Sequence, residues 1–257
     1  MASIVSTGTP RNVARERAIG AIQRQGALIA LVVLAVFGAV RYGPAFTSPY
    51  NIFNAFLNNN TYYALIALGM TFVIITAGID LSVGSVAVLA AVTAARLSGF
   101  GLAPALAGAI LIGLAIGLIN GGLIARFALQ PFVVTLAMLL FARGAALTLS
   151  DNAPVMVDFA AGFTQLGSAQ VGPVPLPVII TAVLYAVCAV LLNRTRFGRH
   201  VLAIGGNEEA ARLAGIPIGR TLLLVYALSG ALAGLAGAFL AALSFSGSPT
   251  GAIGWEL

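Results

Sequence analysis

A polytopic bundle of transmembrane α-helices is the fold class this chain predicts, on three observations. Hydrophobic residues make up 60% of its 257 positions and charged residues 8%, with a mean hydropathy of +1.04. A soluble domain carries about 25% charged residues, so this composition leaves too few charges to clothe a water-facing surface. Several apolar runs reach the roughly 20 residues that a spanning helix needs, and they lack the period-2 alternation of a membrane barrel. The 13 basic residues, all arginine, collect in alternate polar segments. Together these give one all-α membrane domain over 26–257, behind a polar arm at 1–25, with seven spans.

The arm carries Arg11, Arg15, Arg17 and Arg24 and is expected to be disordered or interfacial. Gly26–Val40 reads as a first span that takes Ala18–Gln25 as its inner end. A cleaved signal peptide is the weaker alternative, because no clear small-x-small site precedes Arg41-Tyr-Gly-Pro. Ser48-Pro49 is a helix start, with Ser as N-cap and Pro in the first turn. From there Asn51, Asn54 and Asn58 share one face and Ile52, Phe53, Phe56 and Leu57 the other, the pattern of a helix lying in the membrane interface. Thr61–Ile79 forms a second span of about 28 Å, which sets Asp80 at the far boundary. Val83–Leu97 is a short third segment, Leu102–Ala125 the fourth, and Gln130-Pro131 opens a fifth that runs to Leu149. Arg143 lies about 9 Å from the end of the fifth and is expected to snorkel to the interface. After a Gly- and Pro-rich stretch at 150–175, Leu176–Leu192 is the sixth span and Thr221–Leu243 the seventh.

Two spans carry small residues at every fourth position. These are Ala105, Ala109, Gly113, Gly117 and Gly121 in the fourth, and Gly230, Gly234, Ala238 and Ala242 in the seventh. Such stripes let helices approach to backbone contact, the main way helices associate in lipid. Helix packing is the role expected of them, and the stripe of the seventh span is expected to await a neighbour. With the N-terminus inside, inside segments hold four arginines in the arm, Arg126, and Arg194, Arg196, Arg199, Arg212 and Arg220. Outside segments hold only Arg41 and Arg96. The positive-inside rule is met, the Gly-Pro stretch is external, and the net charge of +6 needs no nucleic-acid partner.

Absences exclude most enzyme chemistry. The single cysteine, Cys188, sits in an apolar run and the single histidine, His200, in a basic segment, so neither a disulfide nor a metal cluster can be assembled. An intramembrane hydrolase would need a second carboxylate, or a nucleophile with a base, within reach of Asp80. An ion-coupled secondary carrier would ordinarily place several ionisable groups at mid-membrane, where this chain offers at most Asp80 and Arg143. No Gly-x4-Gly-Lys-Ser/Thr run exists to hold a nucleotide. No catalytic, cofactor-binding or metal-binding residue is expected.

Two stretches exceed what a plain bundle requires. The first runs from Gly69 to Ser85 and ends in Gly-Ile-Asp80-Leu-Ser82-Val-Gly84-Ser85. Apart from Glu16, Asp80 is the only acid in the first 150 residues, and a carboxylate in hydrocarbon is costly enough to be kept for a reason. It is expected to orient the turn by accepting bonds from the amides of Ser82 and Val83, with Ser85 in the same turn; lining a solute path is the alternative. The second stretch is Asn207-Glu208-Glu209-Ala210-Ala211-Arg-Leu-Ala-Gly215-Ile-Pro217. Asn207 can cap, the two glutamates suit a helix N-terminus, Gly215 can end the helix and Pro217 follows, which predicts two turns over 208–214.

Both stretches resemble the permease subunits of ribose-type ABC sugar importers, within the branched-chain amino acid/ribose permease superfamily. The run into Gly-Ile-Asp80-Leu-Ser82-Val-Gly84-Ser85 is similar to a motif of that family. Glu209-Ala210-Ala211-x3-Gly215 is similar to the core of its coupling helix, and Asn193–Asn207 resembles the segment before it in ribose and xylose permeases. The resemblance begins near residue 50. It implies about ten spans, so a chain stopping at Gly-Trp-Glu-Leu, 254–257, is expected to be incomplete at its C-terminal end. It also implies a non-enzymatic subunit that translocates a sugar or sugar-like solute across a bacterial inner membrane, with its N-terminus cytoplasmic. ATP would be bound by a separate ATPase subunit docked on Asn207–Gly215, a solute-binding protein would deliver the cargo outside, and a second permease subunit would complete the path through the lipid. Whether uptake needs ATP or an ion gradient separates this expectation from the ion-coupled carrier.

Overall fold

The structure, a computed structural model, describes residues 10–251, with side chains at 25, 26 and 28–251. The arginine side chains of the arm and the Gly-Trp-Glu-Leu end lie outside what is described. The chain divides into two compact units, residues 1–52 and 53–257. In the first, α1 (Pro10–Tyr42) is helical from Pro10, and its backbone breaks at Gln25 with φ −124°. The break falls where the basic arm gives way to the apolar run. Leu28–Tyr42 beyond it is apolar. After α2 (Pro44–Thr47), the Ser48 hydroxyl accepts the Asn51 amide at 3.2 Å, the bond expected of an N-cap.

A π-helical turn over Asn51–Leu57 runs from the first unit into the second, and a 3₁₀ turn follows at Asn58–Asn60. Its asparagines face protein: the Asn54 side-chain oxygen accepts from Gln170 at 2.9 Å, and Asn58 donates to the Gly167 carbonyl at 3.4 Å. Phe56 on the other face is exposed. The amphipathic pattern is real, but its polar side serves the 150–175 segment. The helices that follow are α3 (Thr61–Ile75), α4 (Val83–Leu97), α5 (Leu102–Phe127), α6 (Pro131–Leu149), α7 (Gln165–Ser168), α8 (Leu176–Arg194), α9 (Arg196–Gly206), α10 (Glu208–Leu213) and α11 (Ile218–Ser244). Among the described residues five helical segments are long and apolar enough to cross a membrane: Val83–Phe100, α5, α6, α8 and α11. The second of the seven expected spans, α3, is a shorter helix of 15 residues.

The core is organised on α11, which packs against α5, α4 and α3. The two small-residue stripes meet each other here. A Cβ placed on Gly113 would fall on the Gly230 carbonyl oxygen, one on Gly117 on that of Tyr226, and one on Gly234 on that of Ala109. At Gly121 it would lie 2.8 Å from the Leu223 Cα. The stripe of the seventh span is therefore not left waiting for a neighbour, contrary to expectation. The fourth span, far enough along the chain to fold back antiparallel, already fills it.

The Gly- and Pro-rich stretch closes the opposite end of the bundle from α9 and α10. Strand β1 (Val155–Met156) pairs antiparallel with β4 (Ser246–Gly247) just past α11, and β2 (Gln170–Val171) pairs with β3 (Val174–Pro175). Val157, Phe163 and Leu166 are buried beneath it. At its start Arg96 pairs with Asp151 at 2.7 Å and donates to the Leu149 carbonyl at 3.0 Å. The Asp151 side chain is 85% exposed, so Arg96→Ala is expected to lower stability by less than about 1 kcal/mol in thermal unfolding of the detergent-solubilised protein.

Candidate functional site

The second span ends four residues earlier than expected, and this places Asp80. Helix α3 stops at Ile75, where the Thr76 hydroxyl turns back to the Val73 carbonyl at 2.8 Å. Ala77 then takes a positive φ of 57°, and the chain stays irregular until α4 begins at Val83. Asp80 is only 3% exposed. One carboxylate oxygen accepts the Ser82 amide at 3.0 Å and the Ser82 hydroxyl at 2.6 Å; the other accepts the Ser229 hydroxyl of α11 at 3.4 Å. Asn120 of α5 donates to the Ser82 hydroxyl oxygen at 3.0 Å. The carbonyl of Ile79 accepts from Tyr226 of α11 at 3.3 Å and from Thr135 of α6 at 3.4 Å. Three helices thus hold one irregular turn.

Asp80 lies away from the ends of α5 and α11, two of the helices that surround it. Asn120 lies seven residues before the end of α5 and Ser229 eleven residues into α11. At 1.5 Å per residue the turn sits about 10–16 Å inside the ends of those helices. Irregular backbone is tolerated at such depth only when protein covers it, and these partners do so. Counting apolar residues could not find the break, because Thr76, Ala77, Gly78 and Ile79 do not interrupt an apolar run. The second donor to the carboxylate is the Ser82 hydroxyl instead of the Val83 amide. Gly84 and Ser85 are buried in the first turn of α4 and take no part in these bonds.

At one end of the bundle the basic segment forms two helices at a corner. Thr195 caps α9 by accepting the Gly198 amide at 3.2 Å, and Asn207 caps α10 by accepting the Ala210 amide at 2.9 Å. Helix α10 spans 208–213, one residue shorter than expected. Glu208 and Glu209 stand in its first turn, and Arg212 pairs with Glu208 at 2.9 Å. Gly215 has φ +76°, and the Gly215 and Ile216 amides bond back to the carbonyls of Arg212 and Ala211 at 3.0 Å each. That pair of bonds closes a helix through a left-handed residue, a conformation glycine takes without strain. Ala211 is buried toward the bundle, whereas Ala210 is exposed and Leu213 is 83% exposed.

A cavity of about 560 Å³ separates the two features. Thr76, Gly78 and Tyr226 line it from the Asp80 turn, and Glu208 and Arg212 from α10. Sequence reasoning missed Asn120, Thr135, Tyr226 and Ser229. Each is a polar side chain inside an apolar span, and that is the trace it leaves in sequence. For Asn120 the adjacent small-residue stripe drew the explanation to packing alone.

A bundle of spanning helices with a buried polar turn, and a short capped helix presented beyond the spans, defines a multi-pass membrane protein. Residues 52–257 match the family of branched-chain amino acid transport system permease components, and the chain belongs to that family. It is similar to the ribose import permease protein of Escherichia coli strain K12, 38% identical over 92% of this chain and 74% of that one. The ribose import permease protein of Bacillus subtilis strain 168 is 38% identical over 93% of this chain and 74% of its own length. The L-arabinose ABC transporter permease protein of Azospirillum brasilense is 37% identical over 92% and 69%. No solved structure matches. The chain is a permease subunit of an ABC transport system, a non-catalytic component that binds no cofactor itself.

Proposed function

We propose that this permease imports a sugar or sugar-like solute across a bacterial inner membrane, with its N-terminus cytoplasmic. A separate ATPase subunit docks on α10, a solute-binding protein delivers cargo at the opposite face, and a second permease subunit completes the pathway. The observation that carries this reading is α10. It is capped at Asn207, closed at Gly215, anchored through buried Ala211, and turns Glu208, Glu209 and Leu213 outward. Six residues span about 9 Å, a knob for a partner's groove. The named relatives, permeases for ribose and L-arabinose, supply the solute class. The Asp80 turn takes a structural role in this reading: it fixes the break between α3 and α4.

Gly215 provides the test. A Cβ there meets nothing of this chain within 4 Å, so the first atom of a side chain at Gly215 does not strike the bundle. Gly215→Ala is expected to cost about 1 kcal/mol locally, through its positive φ alone. Gly215→Arg is expected to leave membrane insertion intact while lowering ATPase co-purification and solute uptake together. Undiminished co-purification with normal solute-stimulated ATP hydrolysis would show that α10 is an ordinary loop helix. Uptake that follows an ion gradient without ATP would overturn the importer assignment.

A further inference from the structure

We infer that α9 is the lever that carries displacement of α10 to the Asp80 turn, with Gly205 and Phe197 as positioning residues for transport. The inference rests on α10 being the ATPase dock. The junction between α9 and α10 has no slack. Asn207 alone joins them: its amide completes α9 by donating to the Ala203 carbonyl at 3.1 Å, while its side chain starts α10. A load on α10 therefore reaches α9 directly.

Helix α9 is seated at both ends by backbone contacts that only glycine permits. Near its start, a Cβ on Gly198 would fall on the Leu192 carbonyl oxygen of α8. Near its end, a Cβ on Gly205 would fall on the Ile75 carbonyl oxygen, the last residue of α3. Beside Gly198 the Phe197 ring stacks on Phe72, one turn back on α3, with centroids 6.1 Å apart and planes at 22°. Gly198 is thus a fulcrum, Phe197 beside it fixes the near end of α9 to α3, and Gly205 at the far end bears on α3. What they bear on is the part of α3 that passes directly into the turn.

The turn is built to answer such a push. Residues 76–78 follow Ile75 at once, Ala77 already at a positive φ, and next come the Ile79 carbonyl and Asp80 carboxylate, bonded to α6 and α11, and the Ser82 hydroxyl, bonded to α5. Most of the bundle is packed too closely to yield, as the crossed glycines of α5 and α11 show. On the side of the turn facing α10, the cavity of about 560 Å³ leaves it room. Interlocked helices transmit a displacement as a unit, and the free volume determines where it ends.

Two adjacent glycines make the test. A side chain at Gly205 would strike Ile75, whereas one at Gly206 meets nothing within 4 Å. In proteoliposomes holding the permease assembled with its ATPase and binding protein, Gly205→Ala is expected to lower solute transported per ATP hydrolysed at least fivefold, with ATPase co-purification unchanged. Gly206→Ala is expected to leave that ratio as it was. Ala77→Cys in a Cys188→Ser background gives a second readout, its labelling rate by a thiol reagent with and without vanadate-trapped nucleotide. The rate is expected to respond to trapping in the parent and to lose that response with Gly205→Ala. Should Gly205→Ala fail to assemble, Phe197→Leu, which removes the ring contact without adding bulk, is expected to lower the ratio two- to fivefold. An unchanged ratio together with a retained labelling response in the variant that assembles would overturn the lever. Failure of the ATPase to co-purify with the unsubstituted chain would instead overturn the reading of α10, and the lever with it.

Discussion

Gly117→Ala is expected to destabilise the bundle by about 3 kcal/mol, the upper part of the range for overpacking a tight interface. The added methyl would land on the Tyr226 carbonyl oxygen, a backbone atom of α11 that no rotamer change can move aside. Gly122 on the same helix meets nothing within 4 Å, so Gly122→Ala is expected to be neutral or to gain up to about 1 kcal/mol from helix propensity. Unfolding of the two variants in detergent, by heat or by denaturing surfactant, compares them directly. Equal stabilities would mean that α5 and α11 are not in backbone contact. Gly113→Ala enters the same interface through Gly230, so the double variant with Gly117→Ala is expected to lose less than the two single losses added together, since the first methyl has already forced the helices apart.

Asp80→Ala should have a comparable effect for a different reason. It leaves the Ser82 amide, the Ser82 hydroxyl and the Ser229 hydroxyl without their acceptor. An unsatisfied buried polar group costs about 1–3 kcal/mol, and hydroxyls can redirect where an amide cannot, which gives a loss of about 3 kcal/mol. Asp80→Asn keeps one acceptor for Ser82 and can donate to the Ser229 oxygen, so it is expected to lie within about 1 kcal/mol of the parent and to retain uptake. A stable but transport-dead Asp80→Asn would move Asp80 from the turn to the solute path and sink the structural assignment.

The parts legible in sequence were those that a local rule specifies. Val83–Leu97 follows from its apolar run, α10 from its cap and its closing glycine, and the Ser48 cap from Ser-Pro. The stripes on α5 and α11 were legible as packing faces, yet periodicity on one helix does not name the helix that covers it. Asp80 shows the same limit in depth. Residue counts assume that a helix continues until polarity stops it, whereas α3 stops because Thr76, Ala77 and Gly78 turn the backbone while it is still inside the bundle. The partners Asn120, Ser229, Tyr226 and Thr135 lie between 40 and 149 residues away from Asp80 in the chain, beyond the reach of any local pattern. Helix α9 was missed because its seven-residue spaced glycines, Gly198 and Gly205, make sense only once Leu192 and Ile75 are seen against them.

The central place of α11 has a consequence for how the chain is made. Its first residue, Ile218, is synthesised 91 residues after Phe127 completes α5, counting from 127 to 218. At about 5–20 residues per second of synthesis, that is a delay of roughly 5–18 s. During that interval Gly113, Gly117 and Gly121 have no backbone to close on, and Asp80 and Asn120 have entered the membrane before Ser229 and Tyr226 exist. The nascent bundle must therefore keep its most polar turn sheltered until its own later helix arrives, either by holding α3 to α5 loosely together or by borrowing cover from the insertion machinery. The order of synthesis makes α11 the keystone, and substitutions along its glycine face should be read first as defects of biogenesis, visible as degraded chain, before any defect of transport can be measured.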